Sequence, residues 1–435
     1  MTFRWAVPFV ACAGVLFGVV PVPQAAAQDL GINEAEFPKL NAKTDWPWWR
    51  GPNRDGKAVD PFAPVALEAA EAKWAADVPG RGHSSPTVVG NRVYLTTADE
   101  ATQTHFVLAF DRATGAPAWQ VPVNQGAFPA RNHPKNTEAT PTVACDGERL
   151  FATFYHHDMV ELMALDLEGK ILWRKPAGAF RPRRYEYGYA PSPVIYHDGV
   201  IVAAEYDGDS FIAAFDRKTG KQVWRTPRPN NITFSTPSIA HVGGRDQLLI
   251  SGAQQVAAFA PQTGKPLWSL PGTTFATCGT MVWDGDVVYA SGGYPDAQTI
   301  AIRATGSGTV LWKNNQKCYE QSMLAHNGYL YALTDNGVLF CWRGSDGKVM
   351  WTQRLKGPVS ASPVLAGDQI YWANEEGTLY VFRANPERYE LIRENHVGDD
   401  AFPSPAICGG QVYLRVGHRS PRGRQEKLYC FEISP

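Results

Sequence analysis

Six segments of the chain share one internal spacing: a glycine stands four residues ahead of a tryptophan. The pairs are Gly115/Trp119, Gly169/Trp173, Gly220/Trp224, Gly264/Trp268, Gly308/Trp312 and Gly347/Trp351, and successive tryptophans lie 39 to 54 residues apart. A fixed spacing repeated at that period marks a repeat architecture, in which each unit buries its apolar face only against its neighbours. "AFDRATGAPAW" (109–119) and "AFDRKTGKQVW" (214–224) show the local logic. A short apolar strand meets a T-G pair suited to a positive-φ turn, and a second strand then carries the tryptophan.

A second signature precedes each unit, as in "SSPTVVGNRVYL", "PSPVIYHDGVIV" and "PSPAICGGQVYL". It reads as strand, tight turn and returning strand. Together the two signatures make four antiparallel strands per unit, which is a propeller blade. The second signature occurs eight times, the tryptophan hairpin only six. The seventh unit has Ile392 where the tryptophan would fall, and the eighth stops at "KLYCFEISP". Trp74, in "EAKWAADVP", is an unassigned outer strand ahead of the first blade. If it completes the last blade, the ring closes and no sheet edge is left to aggregate. The expected fold is therefore an all-β, eight-bladed propeller over residues 72–435, with Trp74 and the six repeat tryptophans docking blade to blade.

Composition agrees. Forty glycines and 33 prolines favour turns over long helices, and a net charge of −1 lacks the basic face that nucleic acid requires. Residues 1–27 read as a secretory leader with cleavage after Ala27 in "QAAAQ", so a periplasmic or secreted location without a membrane span is expected. Residues 28–71 contain "DWPWWRGPNRDG" (45–56), whose three tryptophans are expected to bury as a structural cap near the closure. Of the six cysteines beyond the leader, only Cys278 and Cys318 fall at comparable places in adjacent blades, so one disulfide between them is the most that geometry allows.

The pattern D-x-x-T-G-x-x-x-W, at Asp111–Trp119 and Asp216–Trp224, resembles the pyrroloquinoline-quinone (PQQ) repeat of eight-bladed quinoprotein dehydrogenases and of the outer-membrane assembly factor BamB family. The resemblance runs from about residue 74 to the C-terminus. It implies the propeller fold strongly and an activity weakly. A dehydrogenase of that group implies PQQ over a tryptophan, a calcium held by carboxylate and amide groups, a general-base aspartate and a vicinal-cysteine disulfide. This chain has no Cys-Cys dipeptide. The expectation is thus a non-catalytic propeller with no cofactor or metal, the alternative being a PQQ- and calcium-dependent oxidoreductase. A hydrolase or lyase using His83 with Glu138 is a third reading.

The loops leading into the innermost strands all open on one face. Two are long and polar-aromatic, 122–140 and 176–191. They and their shorter counterparts bring His83, His133, Glu138, Arg183, Arg184, Tyr187, Tyr189, Phe234, Glu320, Asp399 and Asp400 toward one channel mouth, an expected site for a polar ligand or a protein partner.

Overall fold

The computed structural model describes residues 1, 35–421 and 423–432, so the expected leader, Met1 apart, lies outside the described residues. Apart from one 3-10 turn (Ala69–Glu71), its regular structure is eight four-stranded antiparallel sheets. Among the described residues no helix is long and apolar enough to cross a membrane. Blade 1 runs outward from the channel as Thr87–Val89, Arg92–Asp99, Thr104–Asp111 and Pro117–Gln125. Blades 2 to 7 follow the same order, and the first strands of neighbouring blades meet around the channel. Blade 8 is Ala406–Cys408, Gln411–Ser420 and Gly423–Glu432, completed by Trp74–Val78. The closing pair is antiparallel, in register from Trp74↔Cys430 to Val78↔Glu426. The ring closes as the orphan strand requires.

Middle strands such as Gly199–Ala204 and Phe211–Asp216 are almost wholly buried, because a blade has neighbours on both faces. The outer strand Gln222–Pro227 faces solvent and alternates.

The repeat has a packing explanation. Each glycine sits over the tryptophan of the preceding blade. A Cβ on Gly115 would fall 2.5 Å from the Trp74 ring, and one on Gly220 would fall 2.7 Å from Trp173; both glycines have positive φ. The indole Nε1 then donates to a carbonyl of the next blade's turn: Trp74 to Arg112, Trp119 to Leu167, Trp173 to Arg217, Trp224 to Pro261, Trp312 to Gly344 and Trp351 to Asn385. Trp268 is the exception and donates to the Gln247 side chain at 2.7 Å. The Asp and Thr of the motif hold the turn. Asp216 Oδ1 accepts from the Thr219 amide and hydroxyl, and Asp111 does the same with Thr114. Those bonds pull both carboxyls below their ordinary range.

The tryptophan-rich segment plugs the end of the channel away from the long loops. Trp46 pairs with Val88 of blade 1, the Pro47 carbonyl accepts from Cys145 of blade 2, and Arg54 donates to Ile195 of blade 3. Arg50 reaches the Met323 and Pro363 carbonyls before blades 6 and 7, and Ala58 and Gly56 bond Leu365. Trp46 and Trp48 are buried, Trp48 beneath the Arg54 guanidinium at 4.2 Å. The expectation of a cap beside the closure needs correction, since the segment crosses the whole channel. Gly51 at φ +77, with no room for a Cβ beneath Trp46, lets the chain turn back there.

Candidate functional site

A hydroxyl precedes the first strand of every blade. From Ser85 through Thr142 and Ser192 to Thr236, each backbone N–H donates to the next blade's hydroxyl at 2.9–3.0 Å. A second run passes from Thr280 through Ser322, Ser362 and Ser404 back to Ser85 at 2.8–3.0 Å. At the one break, between Thr236 and Thr280, the plug intervenes: Trp49 Nε1 donates to Thr280 Oγ1 at 2.8 Å. The belt satisfies backbone donors at the waist of the channel that no ladder reaches. Its signal in the sequence is a Ser or Thr two residues ahead of each first strand, such as Ser85, Thr142 and Ser192, which the strand pattern alone does not single out.

Above the belt lies a chamber of about 210 Å³. Trp49 and most of the belt hydroxyls line it, and His83, His133, Tyr187, Phe234, Tyr319 and Glu320 form its walls and mouth. Lys135 crosses from the blade 1–2 connection and places its ammonium 2.8 Å from Glu375 and 3.4 Å from Glu320. Ser360 Oγ also donates to Glu375, at 2.7 Å. Burial pushes the Glu320 carboxyl up, and the Lys135 ammonium opposes that shift. His83 stacks on Phe402 at 4.4 Å, and burial holds its imidazole well below the usual range, with Arg81, Arg415 and Arg424 adding to the shift. It is neutral at pH 7.

The structure brings His83, His133, Tyr187, Phe234 and Glu320 together at this chamber. The other expected residues lie elsewhere. Tyr189 is buried against Phe180 and donates to the Ala203 carbonyl, because Gly188 at φ +76 reverses the facing that a plain extended chain would give it beside Tyr187. Asp400 is buried and takes both oxygens to Arg424, part of the ionic cluster with Glu426 and Arg415 that ties blade 8 to blade 1. Asp399 is exposed and accepts from the Arg419 amide. Arg183 and Arg184 use their amides to bind Asp207, and their guanidinium groups face solvent. Glu138 accepts from Asn132 at 2.7 Å outside the chamber wall, and burial raises its carboxyl to about 7. It does not form a catalytic pair with His83 there. The sequence does not single out Lys135 and Glu375, since contacts spanning 185 to 240 residues leave no local spacing to read.

The one bridge that the sequence left open, Cys278–Cys318, does not form; all six described cysteines are free. Cys278 faces the chamber, whereas Cys318 packs with Val282 and Met323 between blades 5 and 6, so the two thiols point apart. Among the described residues no three His, Cys, Asp or Glu side chains converge as metal ligands.

The comparisons agree with this architecture. The family model for "Outer membrane protein assembly factor BamB" matches residues 64–137, 103–326 and 296–386. The BamB of Legionella pneumophila is 25% identical over 116 residues, 26% of this chain and 29% of that protein. A tetrathionate hydrolase of Acidithiobacillus ferrooxidans is 24% identical over 260 residues, 50% of this chain and 48% of that one. The chain thus spans less than half the length of these curated relatives. Among solved structures, BamB from Moraxella catarrhalis aligns with a TM-score of 0.57 at 16% identity, covering 83% of this chain and 97% of its own. A europium-containing methanol dehydrogenase aligns with a TM-score of 0.64 at 14% identity, covering 92% and 100%. Likeness at these identities speaks for the fold alone, but the family match runs through most of the blades, and the chain belongs to the BamB family of PQQ-repeat β-propellers.

Proposed function

We propose that this protein is an exported, non-catalytic propeller that binds a polar ligand or a segment of a protein partner at the loop-rich face of its channel. The chamber carries this reading. It is floored by Trp49, belted by hydroxyls and walled by aromatic rings, with a few convergent charges, which is the make-up of a recognition site. Burial raises the Cys278 thiol far from its reactive form, and Glu138, the partner that a His83-based hydrolase would need, lies outside the wall.

The alternative, a calcium-held PQQ, fits these residues poorly. Among the described residues no three His, Cys, Asp or Glu side chains converge to hold calcium, and the carboxylates of this wall, Glu320 and Glu375, are engaged by the Lys135 ammonium. Export is supported by the leader-like start and by the outer-membrane name of the BamB relative.

The test pairs two measurements on the full chain. Thermal shift against a panel of small cations, anions and sugars should find a ligand, and dye reduction with added PQQ, calcium and an alcohol or sugar should stay at background. Sustained turnover would defeat the binding reading.

A further inference from the structure

The chamber already holds a cation, and the chain supplies it. Lys135 belongs to the connection between blades 1 and 2, yet its ammonium sits between Glu320 and Glu375 on the blade 6–7 side of the channel. The receiving end is built for such a group. Glu375 is nearly buried, at 9% side-chain exposure, and Ser360 Oγ fixes the oxygen that faces the ammonium. Tyr319 lines the same wall, and its ring already carries a second cation, the Lys317 ammonium 5.6 Å from its centre.

Lys135 is held less firmly than the carboxylates it joins. Its side chain is 36% exposed. Between the Gly126 amide, bonded to Gln103, and the Ala139 carbonyl, bonded to His83 and Ser84, the only backbone–backbone bond among the described residues is the local one from Asn136 to His133. A strap with so few backbone anchors opens at lower cost than the strands beneath it. Removing the ammonium alone would leave two partly buried carboxylates uncompensated. Exchanging it for another ammonium keeps the charges paired, and the incoming body then gains contact with Tyr187, Phe234 and Trp49.

We propose that the chamber takes a primary alkylammonium group, which displaces Lys135 from Glu320 and Glu375 and lifts the 126–139 strap. The group belongs either to a small free amine or to a lysine side chain presented by a partner. This inference rests on the ligand-binding reading above and specifies its ligand.

Calorimetric titration of the full chain tests it, with 1,5-diaminopentane, the peptide Gly-Gly-Lys-Gly-Gly capped at its N-terminus, and the same capped peptide acetylated at Lys Nε as probes. The wild-type chain should bind at least one amine and ignore the Nε-acetylated peptide. Binding of the diamine alone marks a free amine as the ligand, and binding of the peptide marks a presented lysine. Lys135→Met removes the internal competitor. If the latch is shut nine-tenths of the time, affinity rises on the order of tenfold. Glu375→Gln should weaken binding roughly tenfold or more, as loss of a charged hydrogen bond does, with Glu320→Gln as the second variant if the first melts early. Amine binding that Lys135→Met leaves unchanged or weakens, in a variant that melts like the parent, overturns the proposal. So does a chamber that takes a neutral sugar or an anion and ignores amines, an outcome that spares the ligand-binding reading. No binding by any probe or panel compound would defeat both.

Discussion

Gly220→Ala should destabilise the propeller by more than its backbone angle explains. Gly220 has φ +68, and a Cβ there would meet Trp173 Cε3 at 2.7 Å and Lys175 Cγ at 2.9 Å. Placing an L-residue in the left-handed region costs about 1–2 kcal/mol. Forcing the docked ring aside adds about 1–3 kcal/mol, the usual penalty for overfilling a packed site. Gly244 supplies the control. Its φ is +71, but nothing lies within 4 Å of its Cβ position, so Gly244→Ala should lose only the first amount. In a Trp173→Ala background the ring is gone and only the flexible Lys175 side chain has to give way, so Gly220→Ala should then cost little more than Gly244→Ala. Urea denaturation of the four variants, compared at unchanged slope, measures each difference. Equal losses at Gly220 and Gly244, or a full Gly220 penalty without Trp173, would refute the blade-docking explanation of the repeat.

Three further outcomes follow from the same geometry. Arg50→Met strands the Pro363 and Met323 carbonyls at the plugged end and should cost about 2–5 kcal/mol in a urea titration. Removing the strand Trp74–Val78 exposes the edge of Gly423–Glu432, so melting should lose its cooperativity; an unchanged, sharp transition would remove the closure argument. His105, buried between Phe128 and Phe154, has its imidazole lowered to about 3 by burial, with His156 adding to the shift. The unfolded chain takes up this proton from about pH 6.5 downward and the folded one does not, so the stability contribution is full above pH 6.5 and is lost as pH falls toward 3. His105→Phe should therefore flatten stability against pH between 6 and 4 by up to about 1.4 kcal/mol per unit, read from urea midpoints across that range.

The fold was legible because the repeat's glycines and tryptophans meet at six of the eight blade junctions. Trp74 without a glycine partner upstream, and a last blade without a fourth strand, located the closure. The channel mouth was legible only in part. Length and aromatic content drew attention to the right loops, and His83, Tyr187, Phe234 and Glu320 do reach the chamber. Which side of a loop a residue faces depends on single backbone angles, and Gly188 alone separates Tyr187 from Tyr189. The acidic pair Asp399 and Asp400 looked like a site, but the closure needs Asp400 as the partner of Arg424. Trp49 was grouped with Trp46 and Trp48, yet it alone turns from the plug into the chamber.

That turn makes Trp49 the reporter for the central claim, that ligands are recognised inside the plugged channel. The full chain labelled with 5-fluorotryptophan, with the Trp49 resonance assigned by Trp49→Phe, can be titrated with a ligand found by thermal shift. The account predicts that the Trp49 resonance moves with the binding curve while the blade-docking resonances, Trp173 and Trp224 among them, stay in place. A ligand that saturates the protein with the Trp49 resonance unmoved would place recognition elsewhere and contradict it.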